Sequence, residues 1–124
     1  MNGYLFVAGL LTFGIALAHT ILGERLVIAP VLKMKLPPLL KSTVFMRRTI
    51  RYAWHLATVV IWGFSALFIW FSFMQIDDIL YGIVSVCAVT FLCCSLLSLF
   101  MTRGRHFSWY VFLMIAVCAY LGVR

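Results

Sequence analysis

From Tyr52 to Met74 the chain runs for 23 residues without an Asp, Glu, Lys or Arg. An α-helix needs about 20 apolar residues to cross the hydrocarbon core of a bilayer, so this run is long enough to span one. It is preceded by Arg47, Arg48 and Arg51, and Tyr52 and Trp54 sit where amphipathic aromatics meet lipid headgroups. Its one titratable polar residue on the basic side is His55, about one helical turn beyond Arg51.

Three further runs have the same character. Tyr4 to Leu22 and Ile79 to Met101 carry no formal charge, and Phe107 to Val123 is a shorter apolar run of 17 residues. Lipid cannot satisfy open backbone groups, so each must be helical. A closed barrel would require alternation of polar and apolar residues, which is missing here. The expectation is an all-α integral membrane protein: one four-helix domain over residues 1–124, with helices at about 4–22, 52–74, 79–101 and 107–123. A hydrophobic fraction of 65% against 10% charged residues leaves too little polar surface for a water-soluble globule. The N-terminus lacks the basic stretch and small-residue cleavage site of a signal peptide, so the first run is expected to be retained.

The net charge of +7 is distributed in a way that points to membrane rather than nucleic acid. Nine of the ten Lys and Arg fall in the first and third connections, including Arg47, Arg48, Arg51, Arg103 and Arg105, where anionic headgroups are the natural counter-charge. The positive-inside rule then places both connections in the cytoplasm and both termini outside. In the first connection, Pro30 is expected to end the first helix near Ala29. Val31 to Leu36 is expected to lie along the interface, and Pro37-Pro38 to force an extended step.

Small and hydroxylated residues mark the faces that pack. Thr12, Ala16, His19 and Gly23 follow one another on the first helix; Arg51, His55, Thr58 and Trp62 do so on the second; Cys87, Thr90, Cys94 and Ser98 do so on the third. The four cysteines imply no disulfide framework, since Cys87 and Cys94 stand about 10 Å apart along one helix. Cys93-Cys94 is a vicinal pair of the kind used in soft-metal transport, although helical neighbours point about 100° apart. Trp54, Trp109 and Tyr110 fit an interfacial belt.

His19, His55 and His106 come from three different helices at about one membrane depth, with Glu24, the only acid on the basic side, just beyond His19. A polar group at such depth needs a partner. Three chemistries fit: imidazoles and a carboxylate on a metal ion; two histidines on a haem iron; or a quinone, an anionic headgroup or a proton relay on His and Arg. Hydrogen bonds between helices, with no ligand, account for the same residues. The geometric expectation is that His19, His55, His106, Glu24 and Arg51 converge on one pocket. There is no Ser-His-Asp set and no Gly-rich phosphate loop, so hydrolase or kinase chemistry has no support. The competing expectation is a structural or accessory subunit, self-associating or bound into a membrane complex.

The phrases HTILGERLVIAPVL, RRTIRYAWHLATVVIWG and RHFSWYVFL together resemble a group of small bacterial four-span membrane proteins of uncharacterised function. The shared steps correspond to His19, Gly23 and Glu24, to Ala53, Trp54 and His55, and to His106, Ser108 and Trp109. The resemblance implies a bacterial inner-membrane setting and no activity.

Overall fold

The computed structural model describes residues 1–124 and is all-helical. Helix α1, Gly3–Gly23, passes without a break through a π-helical turn, Glu24–Ile28, into α2, Ala29–Lys33. Then follow α3, Thr43–Phe71; α4, Asp78–Thr102; and α5, Ser108–Gly122. Three helices, Gly3–Lys33, Thr43–Phe71 and Asp78–Thr102, are long and apolar enough to cross a membrane, whereas α5 is apolar but has 15 residues.

The helix boundaries follow capping chemistry more than hydropathy. Asn2, Ser42 and Asp77 each hold extended backbone geometry and accept a main-chain N–H with the side-chain oxygen, from Leu5, Phe45 and Leu80 respectively. Such caps satisfy donors that the first turn leaves open. Ser42 therefore starts α3 nine residues before the uncharged run, and Arg47, Arg48 and Arg51 lie on helix rather than in a loop. At the other end α3 stops at Phe71, short of Met74, because the Ser72 carbonyl turns to accept the Asn2 N–H at 2.6 Å.

Pro30 does not end the first helix. Its ring would clash with the carbonyl four residues back in a regular α-helix. The turn before it widens to π geometry, with the Ala29 N–H reaching the Glu24 carbonyl, and helix continues to Lys33. Beyond Met34 the chain is extended through Pro37-Pro38 and turns sharply at Leu40 and Lys41, both at positive φ, closed by paired bonds between Leu39 and Ser42.

Around the bundle α1 lies against α3 and α5, and α4 lies against α5. The α3–α4 side is bridged by aromatic rings instead of close backbones: Phe91 of α4 meets Phe64 and Phe68 of α3, and Phe112 of α5. On α4 the buried face is Leu80, Val84, Cys87, Ala88, Phe91 and Ser95. Thr90 is exposed and bonds back to the Val86 carbonyl, so the face expected from Cys87, Thr90, Cys94 and Ser98 is rotated towards Ser95. Cys93 and Cys94 differ in exposure, and all four cysteines are free. Elsewhere the outer surface is apolar, with residues such as Val59, Val86 and Phe100 exposed, a surface suited to lipid and not to water.

Backbones approach most closely where glycine permits. A Cβ on Gly9 would stand 2.6 Å from Ile69 Cγ1 and 3.1 Å from the Ile69 nitrogen, and Ser65 donates to the Gly9 carbonyl at 3.0 Å across the same seam. At this end Asn2 ties three helices together, since its side-chain amide donates to the Gly122 carbonyl while its backbone donates to Ser72. We predict that Gly9→Val destabilises the bundle by about 1–3 kcal/mol through overpacking. Gly63→Val, in open space on the lipid face, serves as the control in thermal unfolding in detergent; equal midpoints would refute the close α1–α3 seam.

Candidate functional site

The π turn, the start of α3 and the α4–α5 connection lie at one end of the bundle, which is also the basic end. Here the residues singled out from the sequence fall into two groups rather than one pocket.

The first group is ionic and lies outside the bundle. Arg51 Nη2 is 2.8 Å from Glu24 Oε1, with Arg51 about half exposed. The second carboxylate oxygen is shielded and makes no hydrogen bond; His55 Nε2 stands beyond hydrogen-bonding geometry at 3.4 Å. Arg47, Arg48, Arg103 and Arg105 are exposed and form no ion pair.

The second group surrounds a half-open pocket of about 520 Å³ at the basic end, with His19, Trp54, Ser98, Thr102, Ser108 and the exposed His106 as its polar edge and apolar residues for the rest. Trp54 is not part of an interfacial belt. Its indole lies over Gly23, where any Cβ would collide with it, and donates from Nε1 to the His19 carbonyl at 3.2 Å. The His19 imidazole stacks flat on it, centroids 4.1 Å apart and planes 5° apart. Trp54 thus takes the inward position on α3, and the next residue, His55, is carried about 100° round the helix, away from the cavity and towards Glu24. That rotation is why His55, Glu24 and Arg51 do not join His19. His106 lies in the turn before α5 and lines the cavity from the other side. Thr12, Ala16, Gly23 and Thr58 are buried between helices; Trp62 is half-buried and packs edge-on against Phe13.

The ring hydrogen bonds fix the sense of His106 and leave two arrangements at His19. Thr58 Oγ1 stands 3.1 Å from the Trp54 carbonyl and 2.7 Å from His19 Nδ1 with one hydrogen to give; when that hydrogen goes to the carbonyl, His19 Nδ1 donates to Thr58. In the neutral imidazole this leaves His19 Nε2 as an acceptor. His106 has the opposite sense. Its Nδ1 accepts the Ser108 N–H at 3.2 Å and lies 2.7 Å from the Ser108 hydroxyl, itself 2.6 Å from that of Ser98. With Nδ1 accepting, the hydrogen resides on Nε2, a free donor.

Sequence reasoning had not singled out Trp54, Ser98, Thr102 or Ser108 for this edge; the usable signal for Trp54 was Gly23, a bare backbone four residues after His19. No three His, Cys, Asp or Glu side chains come together as a metal-ligand set. Cys93 and Cys94 do not bring a third ligand. No family model matches the chain, and no curated protein or solved structure is significantly similar to it.

Because both partners of the Glu24–Arg51 pair keep contact with solvent, its coupling should be small, about 0.5–1 kcal/mol. A double-mutant cycle of Glu24→Gln and Arg51→Gln, read by unfolding in detergent, checks this; a coupling above about 3 kcal/mol would overturn the solvent-exposed assignment of the pair.

Proposed function

We propose that the protein is a four-span membrane protein of the bacterial inner membrane that binds a quinone or quinol in the cavity at its basic end. The carrying observation is that two imidazoles, His19 with an Nε2 able to accept and His106 with Nε2 as a free donor, border one space whose remaining wall is mostly aliphatic. A quinol offers a hydroxyl hydrogen to the first and an oxygen to the second, and its ring is flat and apolar enough to lie against the aliphatic wall. Apolar walls with a few convergent polar groups are the usual make-up of a small-molecule site.

An anionic headgroup is less well matched, because no Lys or Arg lines the cavity. A multi-ligand metal site draws no support, since no three His, Cys, Asp or Glu side chains come together. The exposed arginines are assigned to headgroup contact at the membrane surface. In this reading α5, though short, is the fourth span, and the bilayer meets it by local thinning.

The ligand is tested by titrating purified protein with decylubiquinone and following quenching of tryptophan fluorescence. Saturable quenching is expected, with binding about tenfold weaker in His19→Phe, as loss of one hydrogen bond of about 1.4 kcal/mol implies. Unsaturable quenching, or His19→Phe and His106→Phe variants that bind like the parent, would reject the quinone reading. A phospholipid retained in native mass spectra at the expense of quinone would do so too.

Orientation follows the nine-to-one basic asymmetry between the two ends. A C-terminal alkaline phosphatase fusion should be active and a C-terminal fluorescent-protein fusion dark. The reverse pattern would place the basic end, and the cavity with it, outside.

A further inference from the structure

We propose that the tail of a membrane quinone enters the pocket at the basic end sideways, along a groove between α1 and α5 that opens to the bilayer beneath the His106 turn. The proposal rests on the quinone reading of the cavity and adds the route and the place of the tail.

The observation is a second hollow of about 450 Å³, walled by Leu10, Gly14 and Ala18 of α1 and by Phe107 and Val111 on the side of α5. It shares Ile15, Ala18, Leu22, His106 and Ser108 with the pocket at the basic end, so the two meet along one edge. Its wall is apolar except at the His106–Ser108 end. A polar head drawn to that end leaves an alkyl tail lying among Leu10, Gly14 and Val111.

Helix packing explains why the seam opens there. Helix α1 is held to α3 at both ends, by Gly9 on Ile69 and by Gly23 under Trp54. It is held to α5 at one end, where the Leu5 side chain fills the space that a Cβ on Gly122 would occupy and Asn2 bonds the Gly122 carbonyl. Towards the basic end no side-chain hydrogen bond joins α1 to α5, and the small residues Gly14 and Ala18 face the gap. Nothing lies within 4 Å of where a Gly14 Cβ would stand. The groove is therefore a space in which the chain has placed no side chain, on helices whose outer surface suits lipid.

Gly14 supplies the test, because a large residue there fills the groove without touching the packed seams. Trp54 is kept as the reporter by changing Trp62, Trp70 and Trp109 to Phe, and the protein is placed in phosphatidylethanolamine–phosphatidylglycerol nanodiscs. Two probes are titrated: decylubiquinone, and the tail-less 2,3-dimethoxy-5-methylbenzoquinone. Gly14→Phe should raise the half-saturating decylubiquinone at least fivefold and leave the tail-less probe unchanged, with Gly14→Leu intermediate. Gly63→Phe, an equal addition on the lipid face of α3, should alter neither. If Gly14→Phe binds decylubiquinone like the parent, or loses both probes equally, the lateral route is wrong while the quinone site stands. If neither probe quenches Trp54 in the parent, the quinone reading fails and the route fails with it.

Discussion

The close seam between α1 and α3 governs what the rest of the bundle can do. In lipid there is little hydrophobic force between helices, so association depends on how closely backbones approach and on which polar groups they share. Gly9 and Gly23 each remove a side chain at a point where α3 needs the room, for Ile69 in one case and for Trp54 in the other. Polar bonds cross at both places, from Ser65 to the Gly9 carbonyl and from Trp54 to the His19 carbonyl. With α1 pinned along its length, Phe91 fills the wider gap between α3 and α4, and the remaining freedom lies on the α5 side.

Much of this was legible in the sequence. The uncharged runs located every long helix, because a bilayer admits few alternatives for such segments, and the stripes on the first two helices marked Thr12, Ala16 and Thr58 as interior. What hydropathy could not show was where helix continues after the membrane ends. Ser42 caps α3 well inside the basic segment, and an amide-to-carbonyl bond from Asn2 trims its far end. Pro30 misled for a related reason: the rule against proline in helices assumes α geometry, and a π turn escapes it.

The histidines show a different limit. Equal depth is readable by counting along helices, but direction about the helix axis depends on which neighbour is drawn inward. An indole placed over a glycine outcompetes an imidazole for the interior position, so His55 was displaced to Glu24 while His19 kept its place. Of the five residues expected together, two remain at the pocket and three lie outside it, Glu24 and Arg51 as an ion pair with His55 beside them. The arginines keep contact with water, whereas the pocket is edged with imidazoles, hydroxyls and an indole, groups less costly to desolvate than a full charge.

The π turn has a mechanical consequence. Leu26 and Val27 belong to it and also line the cavity. A π turn carries longer-range and less regular bonding than its neighbours, and Pro30, next in line, brings no N–H to reinforce it. That side of the cavity is consequently the compliant part of an otherwise stiff rod. Small tilts of α2 about the turn can widen or narrow the space at the membrane surface, while the clamp of Gly23 on Trp54 keeps the stacked rings in register.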